Sequence, residues 1–294
     1  MKHKHWHRFR GKFRRGARQV DDFQPMTVTN VMRRQLDDVL QQAYGSSWRA
    51  PHPEQLHSAI SLQMEHVHAN EDDAAAWFAL LVLRSPVASR AQEQMDHHPG
   101  GFHSKEARVM DLIDFNDAFV GTVLALSENE RKGFLAQMRH EVDRFCMQTG
   151  ARQFSDEQFD AISRGLSREV AVYLGARKLG YEARMTSRRE DALGVDMVVR
   201  EPKSGKEVKL DVKSSSSYRY RLQDLVREGR MSETDLELGD IRGYAFEVNG
   251  HDREAVHVTL MRVDANEVGE IEDFEFVDMA MFEKHFREVV SASV

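Results

Sequence analysis

Residues 194–217 read GVDMVVREPKSGKEVKLDVKSSSS, and the architecture of the second half of the chain follows from them. Val208, Leu210 and Val212 alternate with Lys209, Asp211 and Lys213. A period of two sends the apolar set to one face of a sheet and the charged set to the other, so Asp211 and Lys213 share a face. Residues 195–200 form a second strand-like run, joined to the first through Glu201-Pro202-Lys203-Ser204-Gly205-Lys206. Proline early and glycine late suit a short turn, which predicts a β-hairpin. Such pairing would bring Asp196 beside Asp211.

Two carboxylates converging at the end of a hairpin repel each other unless a cation lies between them. A hard divalent ion with oxygen ligands is the expected answer, with Lys213 placed to orient a water or to stabilise developing negative charge. Residues 157–179 add a third acid. Phe159, Ile162, Leu166 and Tyr173 mark the inward stripe of an amphipathic helix, and Glu169 falls within that stripe. A carboxylate facing a core needs a partner. The choices are a metal site on the adjacent sheet, an ion pair with Arg168, Arg188 or Arg189, or a solvated helix edge.

An aspartate followed on the neighbouring strand by Asp-x-Lys, here Asp196 and Asp211-Val212-Lys213, resembles the PD-(D/E)XK nuclease superfamily. Val195 stands where that signature has proline. The resemblance covers residues 153–262, and Glu169 matches the acid that the superfamily often carries on a helix ahead of the first strand. It implies a restriction-endonuclease-like fold, a central mixed β-sheet flanked by helices, and metal-dependent hydrolysis of phosphodiester bonds, in DNA ahead of RNA. In that scheme Asp196 and Asp211 bind Mg2+ or Mn2+, Glu169 assists or binds a second ion, and Lys213 positions the attacking water. The rival is a catalytically silent nuclease-like module for DNA binding or assembly.

The chain has 294 residues, 41% of them hydrophobic, enough to bury sizeable cores. Its single cysteine, Cys146, excludes an intramolecular disulfide framework and a cysteine-rich zinc site, so the expected compartment is a reducing cytoplasm. The longest apolar run, residues 74–83, is too short to span a bilayer, and the basic N-terminus lacks the apolar core of a secretory signal. The net charge of -7 conceals an asymmetry: residues 1–20 hold eight bases and no acid, so the remainder sets 33 bases against 48 acids. Residues 1–25 are expected to be a disordered basic arm whose Lys4, Arg8, Arg10, Arg14 and Arg15, interleaved with Trp6, Phe9 and Phe13, neutralise phosphates and stack on bases. An arm that folds back on the acidic body is the alternative.

Residues 26–150 read as an all-helical domain. Helices are expected over 26–45, from Pro53, from Glu71 to a stop at Pro86, over 105–126 and over 128–148, with residues 91–101 as a polar loop and Ser127 as an N-cap. Thr149-Gly150 marks the change to the nuclease-like domain, residues 151–294, whose pattern runs helix, hairpin, helix at 218–230, strands at 244–248 and 255–263 around Asn249-Gly250, and a last helix at 279–290. The helical domain is expected to select substrate, to form a homodimer or to recruit a partner protein; no membrane contact is expected.

Further nucleic-acid contacts are expected from Arg188, Arg189 and Arg221, and from a stripe of Arg219, Gln223, Arg227 and Arg230 that Asp224 and Glu228 interrupt. Ser214 to Ser217 reads either as a phosphate-binding loop or as a plain linker. The fourteen histidines show no second ligand set at zinc spacing, and the chain has no P-loop, serine-hydrolase elbow or dinucleotide glycine fingerprint.

Overall fold

The computed structural model describes residues 26–45, 52–99, 110–186, 188–191, 193–202, 204–238, 243–247 and 255–292. Among them the molecule is mostly helical, with a mixed five-stranded sheet in its C-terminal half. Helix α1 (Thr27–Tyr44) ends at Gly45, which takes a φ of 85°, and α2 (His57–Ala69) follows a short 3-10 turn at Pro53–Gln55. Then comes α3 (Ala74–His97), apolar on every side over its first turns and buried accordingly, with Asp73 capping its first amides. It is the axis of the helical half, packed by α1, α2, α4 (Met110–Ala125) and α6 (Phe134–Gln148), with the short α5 (Glu128–Arg131) capped by Ser127 as expected.

The expected stop at Pro86 does not occur. Proline removes the amide that would bond the carbonyl four residues back, Val82 O. Here the Ser85 hydroxyl donates to that carbonyl at 2.7 Å, so the helix runs on to His97 through what was expected to be a loop. The 97–101 tract beyond it lies partly outside the described residues.

Across the Thr149-Gly150 junction the chain stays tied down. Ser89 Oγ donates to Arg152 O at 2.6 Å and Arg139 donates to Phe154 O at 3.0 Å. Helix α7 (Asp156–Lys178), capped by Ser155, then serves both halves: Phe159, Leu166 and Val170 join the helical core, while Ala171, Val172 and Ala176 pack under the sheet.

The sheet comprises β1 (Glu182–Met185), β2 (Met197–Arg200), β3 (Glu207–Ser214), β4 (Gly243–Glu247) and β5 (Ala255–Val263), in the order β1-β2-β3-β5-β4. The hairpin read from residues 194–217 is its centre: β2 and β3 pair antiparallel, and β3 runs parallel to β5. The apolar face, with Val208, Leu210 and Val212, packs on α7 and on α12 (Met279–Ala292), whose Phe282 and Phe286 are fully buried. The opposite face carries Val258 and Leu260 against α9 (Ser215–Arg227) through Leu225.

Short helices α8 (Arg188–Asp191), α10 (Glu233–Leu238) and α11 (Ala265–Val268) lie between these elements. So does a two-stranded ribbon of β6 (Ile271–Glu272) and β7 (Glu275–Phe276). Its turn residues, Asp273 and Phe274, have φ of 46° and 70°, an uncommon conformation for a phenylalanine. Burial explains it: Phe274 is driven between Phe119 and Phe134 of the helical half, at centroid distances of 5.9 and 6.4 Å. Among the described residues no helix is long and apolar enough to cross a membrane.

Candidate active site

Register places the acids. Met197 pairs with Leu210, so the next position outward sets Asp196 opposite Asp211, and Asp196 N donates to Leu210 O at 2.8 Å. Asp196 Oδ2 accepts from Val212 N at 2.6 Å and from Lys213 Nζ at 2.9 Å. The ammonium also donates to Val212 O at 3.1 Å and lies 2.5 Å from Asp211 Oδ1. Lys213 thus sits among oxygens from two carboxylates and one carbonyl, the position that the sequence assigned to a metal ion.

Asp211 is 0% exposed and held from its other side. Its Oδ2 accepts from Arg221 Nε at 2.8 Å and from the Tyr244 hydroxyl at 3.0 Å. Tyr244 itself accepts from Arg221 Nη2 at 2.8 Å and lies 3.1 Å from Gly194 O. Its one proton serves a single acceptor, and the ionised carboxylate is the stronger. Gly194, at φ 87°, is required here, because a Cβ would stand 2.4 Å from Arg221 Nη2. The chain of alternating charge continues from Arg221 to Glu228 at 3.9 Å and from Glu228 to Arg230 at 3.0 Å.

These contacts set the charge states. Burial pushes the Asp211 carboxyl up, but Lys213 and Arg221 overcome it and hold the group below the usual range. Burial likewise opposes the Lys213 charge, yet Asp196, Asp211 and Glu169 raise its pKa well above the ordinary value, so it is an ammonium throughout the neutral range. Asp196 is the opposite case: burial lifts it against the attraction of Lys213, with Asp211 and Asp191 adding repulsion, to about 7.

Glu169 lies with Asp196 on a cavity of about 340 Å3, and burial followed by repulsion from Asp196 raises its carboxyl well above the normal range. Of the alternatives for this residue, an ion pair with Arg168 is not formed; that side chain donates to Arg164 O instead. The cavity is walled by both halves of the molecule. Asp191, Met185 and Thr186 come from the sheet side, and Trp77, Asn116, Asp117 and Gly121 from α3 and α4. Gly121 is what lets the Trp77 indole lie flat on α4, since a Cβ there would be 2.4 Å from the ring.

The other expected nucleic-acid residues separate. Arg221 is a correction: it is 7% exposed and turned inward onto Asp211, so it is not a surface phosphate contact. Arg221 and Leu225, four apart on α9, are that helix's buried positions, a spacing that could have placed this arginine inside. Arg219 is exposed, Arg227 is exposed and bonded to Asp224 at 2.8 Å, and Arg230 stacks 4.4 Å over Phe246. Lys4, Arg8, Arg10, Arg14 and Arg15 lie outside the described residues, as do the side chains of Arg188 and Arg189 and the Asn249-Gly250 turn. The serine run is neither linker nor loop. Ser214 caps α9 by accepting from Ser217 N at 3.1 Å. Tyr244 and the helical wall were not foreseen; the sequence places them far from the hairpin and marks neither with a motif.

Among the described residues no group of three His, Cys, Asp or Glu side chains is arranged to hold a metal ion. The oxygens around Lys213 Nζ nevertheless suit a hard cation: Asp196 Oδ2, Asp211 Oδ1 and Val212 O already hold one positive group. No protein-family model, curated protein or solved structure matches the chain.

Proposed function

We propose that the chain is a divalent-metal-dependent nuclease, hydrolysing phosphodiester bonds in DNA ahead of RNA, with a restriction-endonuclease-like arrangement around β2 and β3. The observation that carries this reading is the ammonium of Lys213 held among Asp196 Oδ2, Asp211 Oδ1 and Val212 O, with Asp196 and Glu169 both lining an adjoining cavity. Asp196 and Asp211, with the Val212 carbonyl, would hold Mg2+ or Mn2+, and Glu169 would assist from α7. When bound, the ion supplies Lewis-acid polarisation of the phosphoryl group and an acidified water.

The residues divide the remaining work by charge. Lys213, fixed as an ammonium, cannot act as a base; it donates, either orienting the attacking water or meeting the charge that develops on a phosphoryl oxygen. Asp211 stays ionised through Arg221 and Tyr244, which fix its orientation. The carboxyl of Glu169, raised above its usual range by burial and by Asp196, can bond a water at the cavity wall. Trp77 and α4 line the far side of the cavity.

The test is a nicking and degradation assay on supercoiled DNA, single-stranded DNA and RNA, beside calorimetry with magnesium or manganese. Asp196→Ala and Asp211→Ala should abolish both cleavage and metal binding. Lys213→Ala should keep metal binding while turnover falls by roughly two to four orders of magnitude. Cleavage and metal binding that persist in Asp211→Ala would remove the site assignment; a wild type that binds DNA and metal but cuts none of the substrates would make it a silent binding module.

A further inference from the structure

A second cavity, of about 410 Å3, lies on the other side of α7, lined by Arg164, Ser167 and Arg168 together with residues from the end of β5 and the β6–β7 ribbon. Its floor is close to the reaction centre in register: Lys213 pairs with Arg262, and Ser214 pairs with Val263, which lines the cavity.

Arg164 and Arg168 stand one helical turn apart, a spacing at which like charges oppose each other. Most arginines of the helical half have a carboxylate: Arg33 has Glu141, Arg84 has Asp114 and Arg139 has Asp143. Arg164 and Arg168 have none among the described residues. Each instead turns one N–H back onto its own helix, Arg164 to Asp160 O at 2.9 Å and Arg168 to Arg164 O at 3.1 Å, which leaves most of the guanidinium donors free. Glu270 and Asp273 also line the cavity. Two guanidiniums one turn apart, one of them part-buried, thus line one cavity without a carboxylate ion pair among the described residues.

We propose that this cavity binds a backbone phosphate of the nucleic acid, one or more nucleotides removed from the bond at Lys213, with Arg164 and Arg168 as the donors and Ser167 Oγ beside them. This rests on the nuclease reading for the identity of the anion. Guanidinium forks suit phosphate oxygens, and the placement on α7 lets one helix present Glu169 to the reaction cavity and the two arginines to the adjoining stretch of strand. The role is positional: phosphate contacts fix register and orientation and carry no sequence information.

The experiment is anisotropy-detected binding of a labelled single-stranded and a duplex oligonucleotide, with calcium in place of magnesium, across a salt series. It compares the wild type with Arg164→Gln/Arg168→Gln and with Arg168→Lys. The double variant should lower affinity at least about tenfold at moderate salt and flatten the log–log salt slope by about 0.7–0.9 for each phosphate that is no longer neutralised. Its thermal midpoint should hold or rise, because the repulsion is gone, and Arg168→Lys should keep the slope and lose part of the affinity. An unchanged slope and affinity in the double variant would overturn the proposal. So would a thermal shift with inorganic phosphate that the double variant abolishes, with oligonucleotide binding untouched, which would give the cavity to a free anion. An arginine-dependent slope in a protein that cuts nothing would keep the phosphate site and retire the hydrolytic reading.

Discussion

Replacing Arg221 by methionine should be among the most damaging single changes in the sheet half, although the residue belongs to no motif. Asp211 has no exposed surface, and Arg221 Nε donates to its Oδ2 at 2.8 Å. Methionine keeps most of the apolar volume but leaves the buried carboxylate with Lys213 and the Tyr244 hydroxyl alone. Breaking a buried pair from one side costs about 3–5 kcal/mol. Tyr244→Phe, which removes a hydrogen bond to a charged group, should cost less, about 1.5–3 kcal/mol. Urea unfolding reads both as falls in midpoint at unchanged slope. A double-mutant cycle with Asp211→Asn isolates the pair: once the carboxylate is neutral, loss of Arg221 should matter less, giving a coupling of about 2–3 kcal/mol. The pH dependence has a definite sign. Asp211 is held below its ordinary value of 3.8, so its contribution is complete above that pH and disappears as pH falls through the folded value; the gap between wild type and Arg221→Met should narrow on acidification. Arg221→Met within about 1 kcal/mol of wild type, or strict additivity in the cycle, would refute the idea that Arg221 clamps Asp211.

Two glycines of α7 should respond in opposite directions. Gly165→Ala meets nothing within 4 Å and should stabilise by about 0.5–1 kcal/mol, whereas Gly175→Ala sets a Cβ 2.5 Å from the Phe282 ring and should destabilise by about 1–2 kcal/mol net; thermal melting separates them. The Cys146 thiol, buried and raised to about 11, should react with a disulfide reagent at about pH 8 only at the rate of unfolding, and rapid labelling of the native protein would contradict its burial.

The hairpin was legible because its signal is local. Alternation in residues 208–213 and the turn chemistry of 201–206 specify a pairing between near neighbours, and the observed register carries Asp196 to Asp211. The Pro86 stop misled for a similarly local reason: the rule assumes that the freed carbonyl goes unbonded, and Ser85, one residue earlier, bonds it. Sequence periodicity also placed Glu169 on an inward stripe without saying what it faced. It faces Asp196 and the cavity, which depends on packing between α7 and the end of β2.

What the sequence could not indicate is the dependence of one half on the other. Phe274, forced into a left-handed conformation, locks the ribbon beyond β5 into the phenylalanine cluster of α4 and α6. Trp77 and Asn116 complete the cavity that Glu169 and Asp196 open onto. Phe274 and Phe119, or Trp77 and Asp196, stand more than a hundred positions apart in the chain, and no spacing rule reaches that far. In consequence α7 has two environments along its length: a first part in the helical core, and a second under the sheet, with Arg168 and Glu169 at the crossover. Adjacent residues on a helix point about 100° apart, so the positive and negative groups of that crossover open into different cavities. On this geometry the helical half is a wall of the candidate active site.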